Sequence, residues 1–188
     1  AKEVDAYIFS DEVYRSFDQS APSIVDLYEK SIAVNSLSKT YSIPGIRVGW
    51  VASNTEVADI LRDYRDYTMI CAGVFDDMVA TLVLENKEAI LERNRQIVEE
   101  NLALMDAWIA KEPKASWIRP ASVSTSFVKL DVNRPIEDFA LELLQDYGVL
   151  VVPGNRFGKE SHVRIGYCCD KEVLQKGLEK LSQFLNKC

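Results

Sequence analysis

The chain has 188 residues, which is the size of one ordinary domain or of one and a half small ones. Hydrophobic residues make up 47% of it and charged residues 27%, so the sequence can bury a core and is not of the disordered class. The formal net charge of -7 argues against nucleic acid and anionic membranes as partners, and no apolar run approaches the ~20 residues of a membrane helix.

The first third of the chain predicts three short, buried β-strands. Residues 5–10, 32–36 and 47–52 are rich in Ile, Val, Phe and Tyr, and each run has the length of a strand. Asn54 and Thr55 then have the residue types that begin a helix. The apolar residues of that helix are expected on one inward face: Val57, Ile60, Leu61 and Tyr64.

A break at residues 71–73 leads to Asp76 and Asp77, which suit the start of a helix. The chain is then predicted to be helical to about residue 110, with an interruption near Asn86. The later part of this stretch has the pattern of a long amphipathic helix with a core-facing stripe. The predicted stripe comprises Ile90, Ile97, Leu104 and Trp108, with Val98, Leu102, Met105 and Ile109 beside it.

After Pro113 the pattern predicts an α+β unit, a small sheet covered by helices. Strands are predicted at residues 115–119, 125–131, 149–152 and 162–167. Pro135 opens a helix that Gly148 ends, and Asp170 caps the last helix. The inward residues of these two helices are predicted as Ile136, Phe139, Ala140, Leu143, Leu144 and Tyr147, then Val173, Leu174, Leu178, Leu181 and Leu185.

Lys39 is the most informative single residue, because of what surrounds it. It stands between a strand-like segment and a Pro-Gly turn, with the hydroxyl residues Ser36 and Ser38 before it and Arg47 eight residues after it. This is a phosphate-sized set of donors beside an amine. Such a set suits a lysine that holds a phosphorylated aldehyde as a Schiff base.

Three blocks of sequence form a wider pattern with this lysine. They are YIFSDEVY at residues 7–14, SLSKTYSIPGIRVGW at residues 36–50 and VRIGY at residues 163–167. In this order and spacing they resemble the class I/II aminotransferases, the fold-type I enzymes that depend on pyridoxal 5'-phosphate. The resemblance spans nearly the whole chain, and it makes pyridoxal 5'-phosphate the expected cofactor.

The resemblance implies an α/β fold. The last strands of a large cofactor domain, expected at residues 1–75, precede a bridging helix and a small α+β domain, expected at residues 76–188. Family members are longer, and the blocks that would supply the rest of the cofactor site are not found here. The chain is therefore expected to be the C-terminal portion of such a protein.

The resemblance assigns cofactor roles to three side chains. Lys39 would hold the aldehyde and move a proton, which requires a pKa lowered by burial and by cations such as Arg47. Asp11 would accept a hydrogen bond from the pyridine nitrogen, and the hydroxyl of Tyr14 would reach the ring oxygen. The alternatives are a surface lysine, a strand-end carboxylate capping a turn, and a core aromatic residue.

The remaining roles concern phosphate and substrate. Ser36 and Arg47 would hold the phosphate with help from Ser38, since guanidinium binds phosphate oxygens bidentately. Arg164 would bind the α-carboxylate of the substrate. The alternatives are an internal salt bridge for Arg47 and a solvated strand residue for Arg164. Arg156, in the loop before the last strand, is expected to be a solvated cation.

The expected function is amino-group transfer between an amino acid and a 2-oxo acid. Lyase, decarboxylase or cyclase chemistry on the same cofactor is the first alternative, and a portion without activity of its own is the second. The resemblance also implies a homodimer. The four cysteines have no metal-ligand spacing, which favours reduced thiols in a cytoplasmic protein and no metal site.

Overall fold

A computed structural model describes residues 1–15, 21–121 and 123–188. It divides into two compact units, Ala1–Asn94 and Arg95–Cys188. Both units combine a sheet with helices, so the predicted α/β class is confirmed. The boundary predicted between residues 75 and 76 refers to domains of a longer protein and stays a prediction.

The first unit is built on a three-stranded sheet of β1 (Ile8–Asp11), β2 (Ser31–Ser36) and β3 (Gly49–Ser53). The strands lie in the order β1-β2-β3. β1 and β2 are parallel, whereas β3 is antiparallel to β2. The carboxyl ends of β1 and β2 and the start of β3 therefore meet at one edge of the sheet.

The helices predicted for this unit begin close to the expected positions, and the short first helix was not predicted. The helices of the unit are α1 (Ile24–Leu27), α2 (Thr55–Arg65), α3 (Val74–Glu85) and the first turns of α4 (Lys87–Ile109). Asn54 caps α2 as predicted, since its side chain accepts a hydrogen bond from the backbone N–H of Val57. The predicted inward face of α2 is wrong, because Ile60, Leu61 and Tyr64 are exposed.

The second unit contains a four-stranded antiparallel sheet in the order β4-β5-β7-β6. Its strands are β4 (Ala115–Trp117), β5 (Thr125–Leu130), β6 (Val152–Pro153) and β7 (His162–Gly166). Alternate residues of the two central strands are buried, which gives the sheet one apolar face.

Two amphipathic helices of this unit, α5 (Ile136–Tyr147) and α6 (Lys171–Leu185), contribute half of the buried apolar side chains among its described residues. Gly148 ends α5 in the left-handed conformation and the side chain of Asp170 caps α6, as predicted. Leu144 and Val173 were expected inward but are exposed, because each lies at the edge of its helix's apolar stripe.

The buried stripe of α4 lies one position away from the predicted one. Ile97 is exposed, whereas Leu91, Val98 and Met105 are buried. Asn94 and Asn101 belong to the same stripe, and both are buried with their amides hydrogen-bonded. A pattern that counts only apolar residues misses these two asparagines and therefore misplaces the centre of the stripe. Among the described helices, none is both long and apolar enough to cross a bilayer.

Candidate active site

The edge of the first sheet gathers three of the predicted cofactor residues. Asp11 is the last residue of β1 and Ser36 is the last residue of β2, and these two strands run side by side in the same direction. Ser36 pairs with Gly49, the first residue of β3, so Arg47 approaches the same edge from the other direction. The carboxyl edge of parallel strands is where α/β proteins commonly bind ligands.

The loop that carries Lys39 is fixed by its own backbone. The N–H of Leu37 donates to Val48 O at 3.1 Å, and the N–H of Ile43 donates to Leu37 O at 2.9 Å. The Leu37 side chain is fully buried beneath the loop. The N–H of Ser42 closes a tight turn on Lys39 O at 2.9 Å. Lys39 therefore projects from an ordered turn although its side chain is exposed.

Lys39 and Tyr14, which belong to separate sequence motifs, lie close together. The Lys39 Nζ atom lies 5.6 Å from the centre of the Tyr14 ring, which is within the range of a cation–π contact. Asp11 stabilises the turn before Tyr14, because its Oδ1 accepts a hydrogen bond from the N–H of Val13 at 3.1 Å. The amine, the phenol and the carboxylate thus belong to adjoining turns at one sheet edge.

Thr40 holds these two turns together, and sequence reasoning missed it. Its hydroxyl lies 3.2 Å from Val13 O and 2.9 Å from Arg15 O, on either side of Tyr14. Its carbonyl accepts a hydrogen bond from the buried amide of Asn94 at 2.9 Å. The available signal was a polar residue at Asn94, inside the helical repeat that also contains Leu91 and Val98.

The Ser36 and Arg47 groups have the chemistry of a phosphate site. Ser36 Oγ accepts a hydrogen bond from the N–H of Ser38 at 3.2 Å, which places both serines in one tight turn. Arg47 adopts a left-handed backbone conformation, with φ of 54°, that a non-glycine residue rarely adopts. Its guanidinium donates to Pro44 O at 2.9 Å. Backbone strain of this kind is concentrated at functional sites.

Gly49 allows the start of β3 to pack closely against the end of β2. A Cβ atom at Gly49 would lie 2.7 Å from Asn35 O and 3.2 Å from the Ser36 Cβ, so any side chain there would displace the serine turn.

The donor set as a whole fits pyridoxal 5'-phosphate: an amine for the aldehyde, a carboxylate for the ring nitrogen, and a hydroxyl with a guanidinium for the phosphate. The expected burial of Lys39 is wrong for the residues described, since its side chain is exposed.

Arg164 belongs to the second unit, in the middle of β7. Its neighbours Val163 and Ile165 are buried on the opposite face, whereas Arg164 is exposed. Its guanidinium lies 5.2 Å from the centre of the Phe157 ring. Arg156, expected to be a solvated cation, instead forms an ion pair with Glu137.

The described part of the chain was also searched for clusters of metal-ligating side chains. Within residues 1–15, 21–121 and 123–188, no group of three or more His, Cys, Asp or Glu side chains could hold a metal ion. The four cysteines are free thiols. Burial raises the pKa of Cys168 and Cys169, which disfavours their thiolate forms.

Comparison with known proteins yields a consistent picture. The family model described as aminotransferase class I and II matches residues 1–181. The structure of a PLP-dependent aminotransferase from Streptococcus suis 89-1591 is 67% identical and superposes with a TM-score of 0.97, over 100% of this chain and 50% of that one. Its fold agrees with the α/β architecture described above.

The curated relatives described next are less similar in sequence, and they are named for different activities. Capreomycidine synthase from Streptomyces vinaceus is 30% identical over 84% of this chain and 41% of its own length. A probable N-acetyl-LL-diaminopimelate aminotransferase from Bacillus subtilis (strain 168) is 28% identical over 97% of this chain and 48% of its own length. The chain therefore spans about half the length of the relatives it matches.

Proposed function

The chain belongs to the class I and II aminotransferase family, and we propose that the whole protein transfers amino groups between an amino acid and a 2-oxo acid. The proposed cofactor is pyridoxal 5'-phosphate, which when bound acts as an electron sink for the α-carbon of the amino acid. The S. suis relative, a PLP-dependent aminotransferase, supports this cofactor at 67% identity over the whole of this chain.

Lys39 is the proposed catalytic residue. When the cofactor is bound, Lys39 Nζ would hold its aldehyde, and as a free amine the same atom would carry a proton to and from the α-carbon of the substrate. A turn closed by two backbone hydrogen bonds holds the residue, so the amine works from a defined position. The Tyr14 ring beneath the amine restricts where Nζ can lie.

The other side chains of the sheet edge bind and tune the cofactor in this proposal. The Asp11 carboxylate accepts a hydrogen bond from the ring nitrogen and keeps that nitrogen protonated. Tyr14 donates its hydroxyl to the ring oxygen. Ser36 and Arg47 hold the phosphate, with Ser38 contributing to the same turn. Arg164 takes the α-carboxylate of the substrate through its forked N–H groups.

The single observation that carries this proposal is the 5.6 Å approach of Lys39 Nζ to the Tyr14 ring at the edge that also bears Asp11 and Ser36. The test combines cofactor addition, borohydride reduction and peptide mapping of the whole protein. One label per chain on Lys39 is expected, and Lys39→Arg should abolish it. Lys30→Arg is the matched control, because Lys30 lies in the same unit but is paired with Asp5. Label spread over several lysines would overturn the assignment.

A second candidate, lyase or cyclase chemistry on the same cofactor, is supported by the similarity to the PLP-dependent cyclase OrfR, which is 26% identical over 99% of this chain and superposes with a TM-score of 0.87. The same lysine, aspartate and arginine serve both kinds of reaction. The discriminating assay mixes amino-acid donors with the whole protein and measures stoichiometric 2-oxo acid together with the aminated form of the cofactor. Failure of this half-reaction with every donor would reject the aminotransferase assignment and leave the second candidate.

A homodimer and a cytoplasmic location complete the proposal. The first unit exposes large apolar side chains such as Phe9, Tyr64 and Phe75, a surface suited to further protein contacts. Free cysteines accord with a reducing compartment. Sedimentation of the whole protein tests the dimer, and a concentration-independent monomer mass would reject it.

A further inference from the structure

The guanidinium of Arg164 has a partner that the proposed function does not use. The Phe157 ring lies against it, with 5.2 Å between the guanidinium carbon and the ring centre. A guanidinium that lies over an aromatic face keeps the N–H edge in its own plane free for another partner. That edge is the one that binds a carboxylate bidentately.

Phe157 is itself held in place by other rings. Its ring meets Phe127 edge-on at 5.8 Å, and Phe127 stacks on His162 at 4.8 Å. Phe127 is the β5 residue that pairs directly with Arg164 on β7, so these side chains share one face of the sheet. Together with Thr125 and Ser126, the two phenylalanines and Arg164 line a hollow of about 290 Å³.

The loop that carries Phe157 is anchored at its base. A Cβ atom at Gly154 would lie 2.4 Å from Lys159 O and 2.5 Å from His162 O, so the backbone is tightly packed there. One carboxylate of α5 then holds the next two residues: Glu137 accepts a hydrogen bond from Asn155 Nδ2 at 2.8 Å and pairs with Arg156. Phe157 follows directly after these anchored residues.

We propose that Phe157 is a positioning residue, which holds the Arg164 guanidinium ready to receive the α-carboxylate of the substrate, and that Glu137 fixes the loop on which it works. The inference rests on the role proposed for Arg164. A free arginine side chain loses rotamer entropy when it is ordered. Ordering it beforehand moves that cost out of the binding step, so the effect should fall on substrate binding rather than on chemistry.

The test measures how far the holoenzyme prefers an amino acid over the amine that lacks its carboxylate. Phe157→Leu should lower kcat/KM for the amino acid about two- to fivefold, through KM with kcat little changed, as expected for one stacking contact. The value for the amine should stay the same. Phe157→Tyr keeps the ring and should retain the preference of the unsubstituted enzyme.

A second pair of variants tests the anchor. Glu137→Ala should reduce the same preference, whereas Asp138→Ala removes an equal charge from the same first turn of α5 and should leave it unchanged. Phe157 is half-exposed, so Phe157→Leu is expected to fold, which circular dichroism checks.

The outcomes separate the inference from the function on which it rests. Equal losses for amino acid and amine, or no loss with Phe157→Leu, would overturn the inference alone. If the unsubstituted holoenzyme turns over the amino acid no better than the amine, the role of Arg164 is wrong and the inference falls with it. If it catalyses no amino transfer at all, the proposed function itself is rejected.

Discussion

Thr40 connects distant segments of the chain, whereas the side chain of its neighbour Lys39 is exposed. Thr40 is buried, and its hydroxyl contacts two carbonyls that lie more than 20 residues earlier in the chain. Lys39 and Tyr14 both sit beside these contacts. The geometry of the candidate site therefore depends on a residue that has no proposed chemical role.

Replacing Thr40 by valine keeps the shape of the side chain and removes its hydroxyl. We expect Thr40→Val to lower the free energy of unfolding by about 1–2 kcal/mol, because hydrogen bonds to backbone carbonyls are lost inside a buried turn. Thr40→Ser retains the hydroxyl and should cost less. Urea titration of the three proteins measures the difference, and equal stabilities for Thr40→Val and Thr40→Ser would show that the hydroxyl contributes nothing.

His162 makes the stability of the folded chain depend on pH. Burial lowers its pKa below the ordinary value, and the nearby Lys159 and Lys129 lower it further. As pH falls below about 6.5, the unfolded chain takes up this proton before the folded chain does. Stability that is present above pH 6.5 is therefore lost as the pH falls towards the folded-state pKa.

The matching experiment follows unfolding midpoints between about pH 7.5 and 5 in the chain and in His162→Phe. The phenyl ring preserves the stack on Phe127 but does not titrate. We expect the difference between the two proteins to be constant above pH 6.5 and to shift in favour of the variant below it. A parallel pH dependence in both would mean that other groups account for the loss.

At the scale of elements, we expect alanine to have opposite effects on stability at two glycines. Gly148 ends α5 with φ of 66°, a conformation that costs an L-residue roughly 1–2 kcal/mol. Gly177 lies inside α6, where an added Cβ would meet no atom within 4 Å. Alanine there should stabilise the helix by about 0.5–1 kcal/mol.

Thermal unfolding of Gly148→Ala and Gly177→Ala compares these two effects directly. The first variant should melt below the unsubstituted chain and the second above it. Gly148→Asn should melt between Gly148→Ala and the unsubstituted chain, since asparagine tolerates the left-handed region better. If both alanine variants moved in the same direction, backbone conformation would not be the deciding term at one of the two positions.

Helix and strand positions followed well from periodicity, whereas burial did so only in part. Asn54 and Asp170 mark helix starts chemically, so α2 and α6 begin where the sequence predicts. The inward face predicted for α2 is wrong. Amphipathicity shows which face of a helix can be buried, but it does not show whether another part of the same chain packs against that face. On α4 the buried Asn94 moved the stripe, since only the structure reveals the carbonyl that satisfies it.

The candidate site followed from the sequence through its motifs more than through its packing. Lys39, Asp11 and Ser36 were brought to one edge because two parallel strands end there. The anchors of the site were missed for a physical reason: Thr40 acts through contacts with carbonyls far away in the sequence. Pairings such as Glu137 with Arg156 likewise depend on folding that brings distant segments together.

At the scale of the whole molecule, the first unit presents a broad apolar surface. Its exposed large side chains come from β1, β3, α2 and α3: Phe9, Trp50, Val51, Ile60, Leu61, Tyr64, Val74, Phe75, Met78 and Leu82. Exposed apolar side chains in such number favour contact with further protein surface. The cofactor residues lie in this same unit, so their surroundings depend on whatever protein surface covers it.

Cofactor binding by these 188 residues alone should consequently be weak. Lys39 is exposed, and the phosphate donors of this chain, Ser36, Ser38 and Arg47, lie along a sheet edge rather than in an enclosed cradle. Water therefore competes for every hydrogen bond that the phosphate makes. Pyridoxal 5'-phosphate titration with borohydride reduction should give less than one label per chain and incomplete preference for Lys39.

The same titration on the whole protein supplies the comparison, with Lys39→Arg as the blank in both. There the label should be stoichiometric and confined to Lys39. Saturable, stoichiometric labelling of Lys39 in the 188-residue chain would contradict the argument, because it would mean that the sheet edge and its three donors suffice to hold the cofactor. In that case the exposed apolar surface would have no part in forming the site, and its role would lie in association alone.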